Sequence, residues 1–383
     1  MIDPESLRLA YIFVVDLLAF MGVYLIVNLT LELEYGKAGI PNFGKVLSVA
    51  GGAFIAGAVP GRVLAAAYNM FAGAEGITHP VVAECVRGLA PQKPAILTRM
   101  DYIEDNVVIA TCLQSGVLSM DPLLSVGVLV MTLLLAALVG AVLGLVASYP
   151  ALRLREDYLA MTLLAFGEFL TAVGYYNREI IGGTLGIQVI DPFSWAGAGM
   201  RFTVATLAIV IVAVVVGLYV RGVGRSPFGR VLRAMRDQEL AAEVLGKDTV
   251  YYKRTVLMIS SAISAVAGAL WAFYSGGIIA TAFDRVTWTF LPWVMVILGG
   301  AGNYLGVALG TGVYWSARKL IDQYKMVLEP VLPFSVIWFD RLAFGLLLIV
   351  LLIVRPKGLI PERPSYALKK STIRRIIESV KAK

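Results

Sequence analysis

The chain has 383 residues, of which 58% are hydrophobic and only 15% charged, and its formal net charge is +7. Ordinary soluble domains are about 45–50% apolar and about 25% charged, so this chain has too few polar residues to cover a water-soluble surface. Lys and Arg cluster beside apolar runs, as in membrane proteins, which excludes nucleic acid as the simplest explanation of the positive charge.

Apolar stretches long enough to cross a bilayer recur along the whole sequence. An α-helix rises about 1.5 Å per residue, so about 20 residues cross a hydrocarbon core of about 30 Å. Such stretches must be helical, because lipid offers backbone N–H and C=O groups no partners. The predicted helices cover residues 10–31, 46–68, 123–148, 157–175, 202–220, 255–274, 287–298, 304–318 and 335–354. We therefore predict an all-α fold, a polytopic transmembrane helix bundle.

The first predicted helix follows only one basic residue, Arg8, and polar residues interrupt its apolar run. A cleaved signal peptide would need a basic start and a shorter apolar core, so we expect a retained membrane helix. We treat residues 1–360 as a single transmembrane domain and residues 361–383 as a basic tail.

Basic residues in the connections predict which side each one faces. Residues 221–254 and the tail are rich in Lys and Arg, which predicts that both are cytoplasmic. The loop 69–122 then falls outside. The same counting places the N-terminus outside and requires residues 287–318 to cross as two short helices, broken or re-entrant at Gly299–Gly302.

Two glycine-rich segments resemble each other. Gly36, Gly39 and Gly44 lie in one half of the chain, and Gly299–Gly302 lies with Gly306 in the other. Transporters built from two related halves often place interrupted helices in matching positions along the solute path. The alternative is that these glycines only allow close packing of helices.

Cys85, Cys112 and the only histidine, His79, all lie in the loop 69–122. Their spacing does not resemble a zinc site, and we predict no metal site. If the loop faces outside, a disulfide between the two cysteines is an alternative. Two unpaired thiols are the default expectation.

Residues 39–46 match a nucleotide-binding loop as far as Lys45, but Val46 stands where Ser or Thr must hold magnesium. We therefore expect no cofactor in this chain; if ATP drives it, ATP and Mg must bind a partner chain. With one histidine, the chain also offers no Ser-His-Asp set, so we expect no enzyme.

The segment after Pro227 predicts two short helices, Phe228–Arg236 and Gln238–Leu245, with Asp237 as N-cap and Gly246 at the C′ position. Its sequence resembles the "EAA" loop of ABC-importer permeases, a coupling helix that sits in a groove of the ATPase subunit. Ala241 and Ala242 would offer a small-residue surface to such a groove, while a plain amphipathic connector is the alternative. The candidate coupling residues are Arg236, Asp237, Glu239, Ala241, Ala242, Glu243 and Gly246.

Six ordered blocks make the resemblance specific. They are Asn42-Phe43-Gly44 after Tyr35-Gly36, Leu152-Arg153-Leu154-Arg155 with Asp157-Tyr158, Leu164-Ala165-Phe166-Gly167-Glu168, Gly182-Gly183-Thr184-Leu185-Gly186-Ile187, Val296-Ile297-Leu298-Gly299-Gly300-Ala301-Gly302, and Arg355-Pro356-Lys357-Gly358-Leu359-Ile360. Over about residues 25–360 the chain resembles LivM-type branched-chain amino acid permeases. A departure is the insertion at about 75–121, which puts contact with a binding protein in doubt.

This resemblance implies a prokaryotic plasma-membrane transport subunit. Its implied partners are a second permease subunit, homologous or identical, two ABC ATPase subunits and an extracytoplasmic solute-binding protein. The implied solutes are branched-chain or related amino acids, with urea or another small solute as the alternative.

The candidate translocation-path residues are Asn42, Phe43, Gly44, Glu168, Gly299, Gly300 and Gly302. Glu168 has no charged neighbour in its own span, and a carboxylate at mid-membrane costs about 2.5–3.5 kcal/mol on insertion scales. It either lines a path or serves helix packing. A rival function is an ion-coupled secondary transporter, which would use such buried carboxylates and need no soluble partner.

Overall fold

The computed structural model describes residues 4–151, 154 and 156–325, and beyond these residues 342–343, 345–346, 349–350, 353–355 and 357–362. The predicted helix 335–354 lies largely outside the described residues, as does the tail after residue 362. The α-helices are α1 Pro4–Leu31, α2 Lys45–Ala67, α3 Pro80–Leu89, α4 Asn106–Leu113, α5 Pro122–Ala151, α6 Glu156–Tyr176, α7 Arg178–Ile181, α8 Arg201–Arg225, α9 Pro227–Asp237, α10 Glu239–Val244, α11 Thr249–Ser275, α12 Leu291–Gly299 and α13 Tyr304–Gln323.

Three helices continue into or begin with π-helical turns, and one short β-ladder is present. The π-helical segments are Glu32–Lys37 after α1, Gln114–Leu118 after α4 and Val286–Phe290 before α12. Strands β1 (Ile187–Gln188) and β2 (Gly277–Ile278) pair antiparallel. Short 3-10 turns cover Met70–Ala72, Pro94–Leu97, Ser194–Ala196 and Ala280–Ala282.

Among the residues that the structure describes, six helices are long and apolar enough to cross a membrane: α1 with its π-helical extension, α2, α5, α6, α8 and α11. Residues 280–299 and 304–323 form a further pair, bent by 117° at the break between them. The predicted polytopic all-α bundle is confirmed, and so is its interruption at Gly299–Gly302. The protein is a multi-pass membrane protein.

Helix α11 is the centre of the bundle and packs against α1, α2 and α5. Its crossing with α2 brings backbones into contact, because a methyl group at Gly52 would overlap the carbonyl oxygen of Ala265, and one at Gly268 would overlap that of Val49. Small residues permit this approach, and van der Waals contact is what holds helices together in lipid.

The predicted polar loop 69–122 is a folded lobe whose buried apolar side chains are continuous with the main core of the bundle. It contains α3 and α4, and Cys85 and Cys112 form a disulfide between them, with Cα atoms 5.7 Å apart. The default expectation of two free thiols is therefore wrong. We call residues 69–121 the disulfide lobe.

The disulfide lobe and the connection after α8 lie at opposite ends of the bundle. The lobe follows the end of α2, whereas Arg236 of α9 contacts Gly36, shortly before α2 begins. This arrangement agrees with the prediction that they face opposite sides of the membrane. Which end is cytoplasmic stays a prediction.

Candidate functional site

The two glycine-rich segments meet in space. The indole Nε1 of Trp293 in α12 donates to the carbonyl of Asn42, and the Phe43 ring stacks on Trp293 with centroids 4.7 Å apart. The Val46 N–H at the start of α2 donates to Thr289 Oγ1 at 3.2 Å. The turn 39–44 between α1 and α2 therefore packs against α12 and the π-helical segment before it.

The turn between α12 and α13 needs glycine at two positions. Gly300 has φ +105 and Gly302 has φ +92, where a side chain would be strained. The Asn303 side chain then accepts from the Leu305 N–H at 3.1 Å and caps the start of α13. The interruption is thus encoded locally.

Residues 357–362 pack against the end of α12. The N–H groups of Leu359 and Ile360 donate to the carbonyls of Leu298 and Gly299, both at 3.0 Å. These bonds satisfy carbonyls that a helix C-terminus leaves without partners. Two of the six blocks that carried the family resemblance are therefore in direct contact.

A buried ion pair lies beneath the turn 39–44. Lys45 Nζ is 2.8 Å from Glu34 Oε2, and both side chains are fully buried. Lys45 also donates to Thr30 at 3.0 Å, and Glu34 accepts from Asn42 at 3.1 Å and from Ser260. Each charged group thus has several polar partners, as burial of charge requires.

A second set of charges connects the turn 300–303 with α9, and we call its four members the charge chain: Glu32, Lys37, Glu362 and Arg236. Lys37 lies 3.3 Å from Glu32 and 3.6 Å from Glu362. Arg236 Nη1 lies 2.8 Å from the other carboxylate oxygen of Glu362 and donates to the carbonyl of Gly36. Glu32 and Lys37 are buried, whereas Glu362 and Arg236 are partly exposed.

Sequence reasoning missed Glu32, Glu34, Lys37, Lys45 and Glu362. The first four fall in the interval between two predicted helices, where charge is unremarkable. A usable signal was present: two carboxylates at 32 and 34 directly continue an apolar run that ends at residue 31, so they extend α1 inside the bundle.

Six of the candidate path residues lie at the same end of the bundle, and five of them are buried. Asn42 is 4% exposed, and Gly44, Gly299, Gly300 and Gly302 are buried. Glycine at 44 is required because a Cβ there would overlap the Leu163 carbonyl of α6. In this structure these five residues lie within packed protein.

Glu168, the seventh candidate, lies apart from the other six, near the middle of α6. Its carboxylate is 48% exposed and lies 3.7 Å from the guanidinium of Arg285, which is 54% exposed. Sequence reasoning did not find this partner, since Arg285 belongs to the segment before α12. Ala165, three residues before Glu168 in α6, is exposed on the same face of the helix.

Helices α9 and α10 form a compact projection, residues 227–246, which we call the knob. Ser226 accepts from the Gly229 N–H and caps α9, and Gly246 with φ +73 stands at the predicted C′ position of α10. Asp237 is not the predicted N-cap; it ends α9 and pairs with Arg236, while Gln238 precedes α10.

The outward face of the knob is apolar, and it differs from the surface expected. Leu240, Val244 and Leu245 are strongly exposed, whereas Ala242 is 2% exposed and faces inward. Ala241 is exposed.

Two candidate coupling carboxylates fasten the knob to α11. Glu239 pairs with Lys253, and Glu243 accepts from Thr249 at 2.8 Å. These contacts hold α10 close to the first turn of α11.

Arg62 at the end of α2 holds the disulfide lobe to the bundle. Its guanidinium lies 4.5 Å from the Tyr102 ring centre and donates to the carbonyls of Glu179 and Ile180. Burial raises the pKa of Tyr102 to about 12, so its hydroxyl stays protonated and donates to the Gly57 carbonyl at 2.7 Å. This joint is therefore insensitive to pH in the physiological range.

Within the part of the chain that the structure describes, no three His, Cys, Asp or Glu side chains are grouped to hold a metal ion. Lys45, the lysine of the nucleotide-loop match, is occupied by Glu34. In the described part of the chain, the arrangement consists of packed helix ends, ion pairs and an apolar projection.

Comparison with known proteins agrees with this description. The family model described as branched-chain amino acid transport system / permease component matches residues 13–352. The chain is 37% identical over 350 residues to the probable branched-chain amino acid transport permease protein LivM of Methanocaldococcus jannaschii, covering 91% of this chain and 93% of that protein.

Two further relatives match a smaller share. Identity to the high-affinity branched-chain amino acid transport system permease protein LivM of Salmonella typhimurium is 30% over 260 residues, covering 61% of this chain and 58% of that protein. The probable branched-chain amino acid transport permease protein LivH of M. jannaschii is 24% identical over 231 residues, covering 58% and 71%. No solved structure matches the chain.

Proposed function

This chain belongs to the family of branched-chain amino acid transport system permease components, and on that premise we propose that it is the membrane-spanning permease subunit of an ATP-binding-cassette importer. It moves branched-chain or related amino acids across the plasma membrane of a prokaryote. Two ATPase subunits bind and hydrolyse ATP with Mg, and this chain performs no chemistry on the solute.

The knob is the observation that carries the proposal. Leu240, Val244 and Leu245 expose apolar side chains on a projection outside the membrane spans. Clustered apolar side chains exposed in this way mark a protein-binding surface. Ser226 and the ion pair between Glu239 and Lys253 hold α9 and α10 in a fixed orientation, so the knob can transmit force. A groove on an ATPase subunit fits both properties.

The charges inside the spans favour this proposal over ion-coupled transport. An ion-coupled transporter needs a membrane-buried carboxylate that is free to take up and release a cation. The carboxylates within the six long candidate spans are Asp16, Glu32, Glu34 and Glu168. Each pairs with a basic side chain: Lys319, Lys37, Lys45 and Arg285, in that order.

The solute path then runs along the face that carries Glu168 and Arg285. A charged pair facing lipid near the middle of a span is costly, so this face needs a cover that is polar or aqueous. A second permease subunit, homologous or identical, packs over this face. The solute path then lies between the two permease subunits. A carboxylate beside a guanidinium also suits the ammonium and carboxylate groups of an amino acid.

The remaining partner is an extracytoplasmic solute-binding protein, which docks at the end of the bundle that carries the disulfide lobe. Burial raises the pKa of Asp191 at that end, against the opposing effects of the Phe193 N–H and of its ion pair with Arg201. The Asp191–Arg201 pair holds the loop before α8 in place. The surface on which the solute-binding protein docks therefore has a fixed conformation at this loop.

Mild extraction of the chain from its native membrane tests the proposal. We expect a second permease subunit and ATPase subunits to co-elute, and vesicles holding the complex to take up labelled leucine only when ATP is supplied on the knob side. Labelled urea distinguishes the alternative solute. Leucine uptake by the chain alone under an ion gradient would support the ion-coupled function instead.

A further inference from the structure

One end of the charge chain holds the peptide groups of Gly302. The Gly302 N–H donates to Glu32 Oε2 at 2.8 Å, and its carbonyl accepts from Lys37 Nζ. Both side chains are buried. Moving Gly302 would therefore break two hydrogen bonds to charged, buried groups at once, and leaving such groups unsatisfied is costly. The position of the turn between α12 and α13 is tied to these two residues.

The other end of the charge chain is part of the knob. Arg236 lies in the last turn of α9, and its guanidinium pairs with Glu362 and donates to the Gly36 carbonyl. Gly39, with φ +72, allows close packing here, since a Cβ at this position would lie 3.0 Å from Cγ of Arg236. A displacement of α9 would thus change the contacts of Arg236 with the end of α1 and with Glu362.

Burial decreases along the charge chain from Gly302 to the knob. The side chains of Glu32 and Lys37 are 0% and 9% exposed, whereas those of Arg236 and Glu362 are 25% and 26% exposed. A partly solvated pair can open and re-form because water replaces the lost partner, while a buried pair cannot. The outer pair is suited to change partners and the inner pair to remain intact.

A purely stabilising role does not require this arrangement. Apolar residues of similar volume stabilise a protein interior as well as or better than a buried ion pair does. Charges are favoured where one element must hold a specific register against another, and here four elements meet: the π-helical end of α1, the turn 300–303, residues 357–362 and α9.

We propose that the charge chain is the mechanical link between the ATPase-driven knob and the α12–α13 break, with Glu362 as the positioning residue that joins them. The proposal rests on the importer function proposed above. Movement of α9 shifts Arg236, the Arg236–Glu362 pair reorganises, and Lys37 with Glu32 carries the shift to Gly302. The turn 300–303 then moves, and with it the helix α12 that packs against the turn 39–44.

A double-mutant cycle in reconstituted complexes tests this link. The variants are Glu362→Gln, Arg236→Gln and the two together, and the readout is solute taken up per ATP hydrolysed. We expect each single variant to lower this ratio by about fivefold or more, the lower end of typical coupling factors. The double variant should be no worse than either single one, because residues that act through one contact are not additive.

The matched control is Lys357→Gln, which removes the charge of an exposed side chain in the same segment as Glu362 without touching the charge chain. It should leave the uptake ratio within about twofold of the wild type, since substitutions of exposed side chains usually change free energies by less than about 0.5 kcal/mol. ATPase co-purification and the unfolding temperature of every variant show whether the complex is intact. Bound ATPase with continued hydrolysis but reduced uptake is the expected signature of Glu362→Gln.

Three results would overturn the link: a wild-type uptake ratio in Glu362→Gln, additive losses in the double variant, or an equal loss in Lys357→Gln. Loss of ATPase binding in Glu362→Gln would also overturn it, since the residue would then serve docking. If the wild-type chain binds no ATPase, the importer proposal itself fails, and that failure is recognised before any variant is compared.

Discussion

The ammonium group of Lys45 lies 2.8 Å from a carboxylate oxygen of Glu34, and neither side chain has any exposed surface. Removing one partner would leave the other charge buried and unpaired. Lys45→Met should therefore lower the free energy of unfolding by about 3–5 kcal/mol. In Glu34→Gln/Lys45→Met no charge remains, so part of the loss should be recovered. Unfolding of the two proteins and the wild type in one detergent measures both effects; equal losses would contradict the pairing.

The disulfide should stabilise the lobe without being needed by the bundle. Replacing Cys85 and Cys112 with Ser should cost the lobe about 2–4 kcal/mol, and trypsin should then cut faster at exposed Arg87 and Arg99. The unreduced wild type is the control. Equal cleavage rates, or loss of the whole bundle, would show that the lobe does not depend on this bond locally.

Topology can be tested without removing native cysteines, because the chain has only Cys85 and Cys112 and both are paired. Exposed Gln92 on the disulfide lobe and exposed Lys247 just after the knob are suitable sites. In intact cells, an impermeant thiol reagent should label Gln92→Cys and not Lys247→Cys. After membrane disruption both should react, and the reverse pattern in intact cells would invert the proposed orientation.

The Glu168–Arg285 pair should matter for transport and little for stability. Because both side chains are about half exposed, Glu168→Gln should change the free energy of unfolding by less than about 1 kcal/mol. If the pair lines the solute path, uptake should fall sharply while the complex still assembles. Phe169→Leu, a change at the neighbouring exposed position, is the control. Unchanged uptake in Glu168→Gln would remove this face from the path.

The knob can be probed at two residues that differ in exposure. Val244 is 87% exposed, so Val244→Asp should abolish ATPase binding and leave the unfolding temperature unchanged. Ala242→Trp adds bulk at a buried position, so overpacking should lower the free energy of unfolding, typically by about 1–3 kcal/mol. Normal ATPase binding by Val244→Asp would exclude the apolar face as the docking surface.

The apolar pattern predicted the long helices well, because a span in lipid is marked by its length and lack of charge. Helix α2, predicted at residues 46–68, runs from Lys45 to Ala67. The predicted start of α11, residue 255, lies six residues after the observed start at Thr249. The prediction followed the apolar run and left out Lys253 and Arg254, whereas the Asp248 side chain caps the helix and the helical backbone continues through these charges.

The site was predictable only where the backbone itself carries the signal. Glycines at 300 and 302 indicate a turn, because the backbone there has a positive φ that residues with a side chain rarely adopt. Ion pairs between distant residues carry no such signal. Glu32 and Glu362 both pair with Lys37, although 330 positions separate the two carboxylates. Periodic sequence patterns relate only residues within a few turns of the same helix. The disulfide could not be predicted for the same reason: Cys85 and Cys112 come together only through the fold of the lobe, and the sequence predicted a loop there.

The contact of residues 357–362 with the end of α12 also bears on how the protein is made. Synthesis proceeds from the N-terminus, so Glu32, Lys37 and the whole knob exist before the segment that joins them. Until Leu359 and Ile360 reach the carbonyls of Leu298 and Gly299, an inserted chain lacks both the seal on that helix end and the carboxylate of Glu362. This contact can therefore form only after every described helix of the bundle has been synthesised.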